Sequence, residues 1–388
     1  MPKRIVILFD GTSNEVKEDR TNILRLYGAL KKSPDQLVYY DPGVGTLGGQ
    51  RSFLRFMRKA SELWGQITGW GLDDNVKDAY RFLVKNYNNG KASNEERDSI
   101  YIFGFSRGAY SARVLAAFIR SIGIIEERNI NLLDYAYRAF KRIGEDVSES
   151  DNSFAEIGLY ERMLDPDRPS IKFLGLFDTV SSVIESGRYG IRLRSHAFTN
   201  NNDSVEIVRH AIATHERRSM FRHKHWGKDA IFKKNPFLKQ KTKTQDVREV
   251  WFFGTHGDVG GGAPESESRL AKIPLDWMIN QAKLFGLKFN TATVDKIVLG
   301  KDKKSKYVPP HLMGKLHDRV NLLWRSMEII PRRKFSGSKR HHIFGWTLPL
   351  LDWRHIPNGS YIHHTVLKRI KKNNLKLKNM PKNYKTEP

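Results

Sequence analysis

Short apolar runs alternate with amphipathic stretches along most of the chain. The apolar runs are rich in β-branched and aromatic residues and poor in charge, which is typical of strands buried on both faces. They comprise residues 4–9, 37–40, 99–105, 171–177 and 249–254. A helical period is found in residues 73–87, 107–120, 203–213 and 273–286. This alternation predicts an α/β fold with an open, mostly parallel sheet flanked by helices.

Two basic stretches, residues 222–247 and 300–345, interrupt the alternation and are weakly periodic. We interpret them as insertions or surface lobes, and the basic segment from Lys368 onward as a mobile or loosely docked tail. We expect residues 1–300 to form a catalytic core with an insertion near 222–247. Residues 301–388 are expected to form a basic C-terminal lobe and tail that complete the same domain.

The charge of the chain is strongly positive and unevenly distributed. The formal net charge is +25, and residues 301–388 carry 21 Lys/Arg against 5 Asp/Glu. Such a surface attracts polyanions, so peripheral contact with an anionic membrane and nucleic-acid binding are both open. No zinc-finger or RNP motif supports nucleic-acid binding. A merely solvated surface is the alternative, and the sequence leaves the oligomeric state unknown.

Cysteine and long apolar segments are absent from the sequence. Without cysteine, disulfides, thiolate nucleophiles and cysteine-bound metals are excluded. The apolar run that begins at residue 5 is too short for a signal-peptide core, and no run reaches the length of a membrane span. We therefore expect a cytoplasmic protein, with signal-independent export as the alternative.

The strongest chemical signal is the pentapeptide Gly104-Phe105-Ser106-Arg107-Gly108, which fits the pattern G-x-S-x-G. A predicted strand leads into it and an Ala-rich predicted helix follows it. In α/β-hydrolases this sharp turn exposes a nucleophilic serine at the carboxyl edge of the sheet. The sequence therefore predicts Ser106 as the nucleophile of an α/β-hydrolase-like fold. The backbone N–H of Arg107 would form half of the oxyanion hole.

A nucleophilic serine needs a base and an acid that orients the base. In the hydrolase order, Asp178 and His256 follow Ser106, and each comes after a predicted strand. We predict these three residues as the catalytic triad. Asp178 is alternatively a helix cap, His256 is alternatively a turn residue, and Asp258 is a rival acid close to the histidine.

The loop after the first predicted strand is the candidate for the other half of the oxyanion hole. It contains Asp10, Gly11 and Thr12, and the N–H of Gly11 or Thr12 is the candidate donor. Asp10 is a possible supporting residue or an ordinary turn residue. The same letters resemble a haloacid-dehalogenase motif, but that chemistry needs an aspartate where Leu8 stands.

Histidines occur in pairs, which raises the question of a metal site. The pairs are His210 and His215, His223 and His225, His341 and His342, and His363 and His364. None has the spacing of an H-E-x-x-H site, so no metal and no other cofactor is expected. We interpret residues 213–218 as the end of a helix with a charged network.

Several segments together resemble the α/β-hydrolase family known as domain of unknown function 2235, which includes type VI secretion phospholipase effectors. The matching segments are FDGTSN (9–14), TNILRLY (21–27), YYDPGVGT (39–46), GLDDNVKDAYRFLVKNY (71–87), IYIFGFSRGAYSARVLAAFI (100–119), LGLFDTVSS (174–182), RHAIATHERR (209–218), WFFGTHGDVGGG (251–262) and IHHTVLKR (362–369). The resemblance implies an α/β-hydrolase fold, a Ser-Asp-His triad and hydrolysis of esters or phospholipids.

The sequence thus favours a serine hydrolase that cleaves carboxylic esters, with lipids or phospholipids as the leading substrates. A polyanion- or nucleic-acid-binding protein on a hydrolase scaffold is one alternative, and a small-ester hydrolase is another. Membrane contact would suit some of the aromatic residues, although core packing is their more common fate. The candidates are Trp64, Trp70, Phe344, Trp346 and Trp353.

Overall fold

An eight-stranded sheet organises the protein, as seen in a computed structural model of the chain. The structure describes residues 2–11, 20–43, 71–90, 96–143, 158–180, 183–187, 190–194, 196–227, 230–233, 242–318, 320–329, 332–333 and 346–388. Thr12, Trp64, Trp70, His341, His342 and Phe344 lie outside the described residues.

The strands and helices follow one another along the described parts of the chain. The strands are β1 (Arg4–Phe9), β2 (Gln36–Asp41), β3 (Ser99–Phe105), β4 (Ile171–Phe177), β5 (Val183–Gly187), β6 (Gly190–Arg194), β7 (Val205–Ala213), β8 (Ile231–Phe232), β9 (Lys243–Thr244), β10 (Asp246–Phe252), β11 (Arg332–Arg333), β12 (Trp346–Thr347), β13 (Ser360–His363) and β14 (Tyr384–Glu387). The α-helices are α1 (Asn22–Ala29), α2 (Leu72–Asn86), α3 (Arg107–Ile122), α4 (Leu133–Ile143), α5 (His256–Gly260), α6 (Lys272–Leu284), α7 (Thr291–Thr293), α8 (Leu322–Met327) and α9 (His364–Lys372). No helix among the described residues is long and apolar enough to cross a membrane.

The main sheet is parallel throughout and has the strand order β14-β13-β10-β7-β4-β3-β1-β2. The chain runs outward from β1 to β2, returns to β3 on the other side of β1, and then adds strands in that direction. The connection therefore changes direction between β1 and β3. In open α/β sheets, ligands bind beyond the carboxyl ends of the strands at such a point.

Apolar residues cover both faces of the sheet. On one face, α2, α3 and α4 pack on the buried side chains of β1, β3 and β4. On the other face, α1 and α6 pack on the alternate side chains of the same strands. The continuous apolar runs in the sequence are explained by this double coverage. The predicted open, mostly parallel α/β sheet is confirmed.

The prediction of a helix at residues 203–213 is wrong, because this segment forms β7 in the middle of the sheet. Arg209 and His210 gave it a polar period that resembles a helix, yet both side chains are buried in the strand. Arg209 pairs with Asp246, at 2.7 Å between Nη2 and Oδ2. His210 Nδ1 lies 2.9 Å from Glu249 Oε1. The ion pair of Arg209 and the hydrogen bond of His210 satisfy these polar side chains inside the sheet.

The prediction of a mobile or loosely docked tail from Lys368 is also wrong. Residues 364–372 form α9, and residues 384–387 form the edge strand β14 of the main sheet. The buried carboxylate of Glu387 accepts a hydrogen bond from Trp277 Nε1 at 3.0 Å. The lysines of the tail are exposed, whereas Arg369 is buried and donates to the carbonyl groups of Leu312 and Gly314. The basic composition therefore did not prevent ordered packing.

Candidate active site

The ends of neighbouring parallel strands bring the predicted site residues together. Phe105, the last residue of β3, is paired with Phe177, the last residue of β4. Ser106 and Asp178 therefore leave adjacent strands at the same edge of the sheet. His256 follows β10, which is separated from β4 by β7 alone. All three side chains thus come from one edge of one sheet.

The turn between β3 and α3 holds Ser106 in a strained backbone conformation. Its φ and ψ are 59° and −120°, in a region that costs free energy for a residue with a side chain. The turn is tight because a Cβ at Gly104 would collide with the backbone of Gly108, and one at Gly108 would collide with the carbonyl groups of Phe9 and Asp10. The two glycines of the motif are therefore required sterically.

Ser106, His256 and Asp178 form a continuous hydrogen-bonded chain. His256 Nε2 lies 2.8 Å from Ser106 Oγ, and His256 Nδ1 lies 2.6 Å from Asp178 Oδ2. All three residues are buried. In this geometry the Nδ1–H donates to the carboxylate, which leaves Nε2 free to accept the serine proton.

Asp178 is a fully buried carboxylate with several donors around it. Its Oδ1 accepts hydrogen bonds from the N–H of Ala213 at 3.0 Å and from Arg354 Nη1 at 2.5 Å. Arg354 Nη2 lies 3.0 Å from Oδ2. Burial alone would raise the pKa of Asp178, but the charges of Arg354 and His256 and their hydrogen bonds hold it well below its usual range. The carboxylate therefore stays ionised.

His256 is the first residue of α5 and is held by its own helix and by aromatic rings. Thr255 and Asp258 form a capping box at the start of this helix. The imidazole centroid lies 4.7 Å from the ring of Phe105 and 4.9 Å from that of Phe221. Burial lowers the pKa of His256, and the hydrogen bond to Asp178 offsets part of this effect. The imidazole is thus neutral at neutral pH and able to act as a base.

Asp258, the rival acid, is directed away from His256. Its Oδ2 accepts from the N–H of Thr255 at 2.9 Å, and its Oδ1 lies 2.6 Å from His317 Nδ1. Asp258 therefore holds the start of α5 in place and links it to the segment that contains His317. Asp178 is the carboxylate that contacts the imidazole of His256.

The loop after β1 packs directly against the nucleophile turn, but its donors are partly engaged. The N–H of Gly11 donates to Asp10 Oδ1 at 2.6 Å. Asp10 Oδ2 also accepts from Thr21 Oγ1 at 2.5 Å and from the Tyr40 hydroxyl at 2.8 Å. Asp10 thus organises this loop. Gly11 would have to weaken its bond to Asp10 before it could donate to an oxyanion.

Two charged residues at the site were missed by sequence reasoning. Arg354 reaches Asp178 from 176 residues further along the chain, and no local motif marks it. Glu216 Oε2 accepts the backbone N–H of His256 at 3.2 Å and pairs with Arg218. Glu216 lies in RHAIATHERR (209–218), one of the segments that carry the family resemblance, and this position is the signal by which it could have been found. That segment follows the end of β7, so the interpretation of residues 213–218 as a helix end is wrong, although a charged network is present.

Three further histidines, His210, His223 and His225, lie in a polar network beside the site. His210 and His225 both contact the carboxylate of Glu249, through Nδ1 at 2.9 and 2.7 Å. His225 Nε2 lies 2.7 Å from His223 Nε2, and His210 Nε2 accepts the N–H of Thr179 at 3.2 Å. In the described part of the chain, no group of three or more His, Asp or Glu residues could hold a metal ion.

Comparison with known families places this geometry in context. The family model described as T6SS, Phospholipase effector Tle1-like, catalytic domain matches residues 3–281. The chain belongs to this Tle1-like family. The match includes the segments that contain Ser106, Asp178 and His256, whereas Arg354 lies beyond it. The resemblance to a family that includes phospholipase effectors is thereby confirmed.

Individual relatives of the Tle1-like chain are distant. An uncharacterised protein of Saccharomyces cerevisiae is 33% identical over 233 residues, which is 57% of this chain and 32% of that protein. An uncharacterised protein from Pseudomonas aeruginosa has a structure with a TM-score of 0.40 and 20% identity, covering 74% of this chain and 46% of that one. The structure of the Tle1 effector bound to the VgrG spike from the Type 6 secretion system has a TM-score of 0.34 and 19% identity. This match covers 69% of this chain and 53% of that chain. The chain thus spans between about a third and about half of the length of these relatives.

Proposed function

We propose that the chain is a serine ester hydrolase that acts on lipids, with phospholipids as its leading substrate class. The observation that carries this proposal is the hydrogen-bonded chain from Ser106 Oγ through His256 to Asp178, with contacts of 2.8 and 2.6 Å. The description of the Tle1-like family as phospholipase effectors supports the choice of lipid esters.

The first half of the proposed reaction forms an acyl-enzyme. Ser106 Oγ attacks the ester carbonyl carbon while His256 Nε2 takes the serine proton. The tetrahedral intermediate collapses, the ester C–O bond breaks, and His256 returns the proton to the leaving alcohol. Asp178 holds the tautomer of His256 and stabilises the imidazolium that forms.

The second half of the reaction releases the acid. A water molecule attacks the acyl carbonyl while His256 again serves as base, and the serine hydroxyl is restored as the carboxylic acid leaves. The N–H of Arg107, at the start of α3, is the proposed donor to the oxyanion in both halves. A second donor would come from the loop after β1, where Gly11 and Thr12 remain the candidates.

Hydrolysis of phospholipid vesicles by the purified protein tests this proposal. We expect release of fatty acid from vesicles of phosphatidylcholine and phosphatidylglycerol, and its loss on Ser106→Ala by about 10⁴-fold or more. Ser111→Ala is the matched control, since Ser111 is also a buried serine of the same region, and it should keep its activity. Full activity of Ser106→Ala would overturn the proposal. Activity on soluble nitrophenyl esters without activity on vesicles would favour a small-ester hydrolase.

A polyanion-binding role on an inactive scaffold is the competing function. Polyanion binding alone would not need a serine in contact with a neutral imidazole, nor an imidazole in contact with an ionised carboxylate. The close contacts of Ser106, His256 and Asp178, together with the pKa directions of the latter two, favour the enzyme.

A further inference from the structure

Five large apolar side chains are exposed between residues 322 and 350, in the C-terminal part of the chain. They are between 40% and 85% exposed, and we call them the apolar rim: Leu322, Ile329, Trp346, Leu348 and Leu350. A cluster of this kind usually marks an interaction surface, whereas single exposed apolar residues need no explanation.

Backbone contacts hold the segments of the apolar rim together. Leu322 begins α8, and Ile329 follows the end of that helix. The N–H of Leu350 donates to the carbonyl group of Glu328 at 3.2 Å. Trp346 lies on β12, and β12 pairs with β11. The strand β11 begins three residues after Ile329. The rim is therefore built on one connected unit, and its side chains face solvent.

The apolar rim lies beside the candidate active site. Trp324, on the same helix as Leu322, contacts Phe221 with ring centroids 5.3 Å apart, and Phe221 contacts His256 at 4.9 Å. Glu328 anchors the unit because its Oε1 accepts the N–H and the hydroxyl of Ser219, at 2.7 and 2.8 Å. Two ring contacts thus link α8, the helix that begins with Leu322 of the rim, to the catalytic imidazole.

The sequence around the apolar rim is basic. Apart from Arg354, which is buried against Asp178, residues 322–354 contain six Lys/Arg against two Asp/Glu. One of the two acids, Glu328, is buried in its contact with Ser219, while Arg325 is exposed. An apolar surface with basic residues and a tryptophan suits the boundary of an anionic bilayer, where apolar groups enter the acyl region and cations meet phosphate groups.

We propose that the apolar rim is the surface by which the protein docks on an anionic phospholipid bilayer. This inference rests on the proposed function, because the role of docking at the rim would be to bring the ester bonds of lipids to Ser106. Binding itself does not require catalysis, so the two proposals are tested separately.

Cosedimentation with vesicles tests the docking surface. The measurement uses the Ser106→Ala protein, so that no lipid is consumed, and vesicles of phosphatidylcholine with about a third phosphatidylglycerol. Combined Leu322→Ser, Trp346→Ser and Leu348→Ser should weaken binding by about tenfold or more, because these side chains no longer leave water on docking. Binding should also fall with added salt.

Three apolar residues of similar exposure on other segments supply the matched control. Combined Tyr135→Ser, Met163→Ser and Leu284→Ser removes side chains that are 55%, 62% and 74% exposed and should leave binding unchanged. The single Leu322→Ser variant, at a position 85% exposed, serves if the triple variant fails to fold. In each set, circular dichroism checks folding.

The outcomes separate docking from catalysis. Equal vesicle binding by the rim and control variants overturns the proposal, and so does binding to duplex DNA without binding to vesicles. With Ser106 restored, the rim variant should keep its rate on a soluble nitrophenyl ester and lose rate on vesicles. If no ester is cleaved by any form, the proposed function fails, while the vesicle binding of the Ser106→Ala protein still decides the docking surface.

Discussion

Asp178 shares its buried negative charge with two partners, His256 and Arg354. The guanidinium approaches both carboxylate oxygens, and the imidazole approaches one of them. A bidentate arginine fixes the plane of a carboxylate as well as its charge. We infer that Arg354 is a positioning residue, which orients Asp178 so that Asp178 can orient His256.

Substitution of Arg354 tests this positioning role. Arg354→Gln should lower kcat on a soluble ester by about 10- to 10³-fold, less than the ~10⁴-fold that loss of the triad carboxylate costs in serine proteases. The KM should change little, because the guanidinium contacts Asp178 and two backbone carbonyl groups. Arg354→Lys should restore part of kcat, since it returns the charge without the bidentate geometry. An unchanged kcat in Arg354→Gln would contradict the role.

The pH dependence of hydrolysis follows from the environment of His256. Burial lowers its pKa, and only the neutral imidazole can accept the serine proton. The value of kcat/KM should therefore rise as pH increases through this pKa, with a midpoint below the ordinary histidine value of about 6.5, and be level near neutrality. Glu216 raises and Arg218 lowers the pKa of His256, so Glu216→Gln should move the midpoint down and Arg218→Gln should move it up. A midpoint above 7 would contradict this account.

At the residue scale, local sequence patterns predicted the residues that a motif marks and missed those that only the fold brings near. Ser106, Asp178 and His256 follow apolar runs, and the edge of a parallel sheet brings such positions together. Arg354 follows no predicted strand, and it reaches Asp178 because the chain returns to the site after α8. Nothing in its neighbouring residues predicts a partner 176 positions away.

The turn between β3 and α3 is the element on which the site depends most. It is tight enough that a methyl group at Gly108 would collide with the backbone of β1. Gly108→Ala should therefore lower the free energy of unfolding by about 1–3 kcal/mol, because the turn must move away from Phe9 and Asp10. Thermal unfolding measures this change.

Gly28→Ala is the matched control for the turn. Gly28 lies inside α1, where an added Cβ would meet Ile297 Cδ1 at an ordinary 3.5 Å. This substitution should be neutral or stabilise the protein by up to about 1 kcal/mol, since alanine favours helix. Equal effects of the two substitutions would contradict the steric reason given for Gly108.

At the element scale, the sequence predicted β1, β3 and β4 with their bounds and failed for β7. Each of the first three is a short apolar run with no more than one charged residue, a pattern typical of buried strands. In β7, the buried Arg209 and His210 depend on Asp246 and Glu249 of β10. Charges in a strand at the centre of a sheet become understandable only when the neighbouring strand is known.

For the whole molecule, the C-terminal part contributes to both the sheet and the site. It provides β13 and β14 to the main sheet, Arg354 to Asp178 and Trp324 to Phe221. We propose that residues 301–388 complete one domain with residues 1–300. The basic composition of this part had suggested a loose tail, because composition does not show which few residues are buried.

Glu387 tests whether the end of the chain is firmly packed. Its side chain is 3% exposed, near Arg248, and it accepts a hydrogen bond from Trp277. Glu387→Ala should destabilise the fold by about 1–3 kcal/mol, because it leaves the buried indole N–H without an acceptor. Lys382→Ala, at an exposed position nearby, should leave the thermal midpoint unchanged. An unchanged midpoint for Glu387→Ala would indicate a loosely attached tail.

The central claim is that the hydroxyl of Ser106 is activated by His256. Reaction with a fluorophosphonate, followed by peptide mass spectrometry, tests this claim directly, since such reagents phosphonylate an activated serine. We expect one adduct, on Ser106, that is absent in Ser106→Ala and forms far more slowly in His256→Ala. A folded protein that gives no adduct, or an adduct at another residue with Ser106 unmodified, would contradict the account.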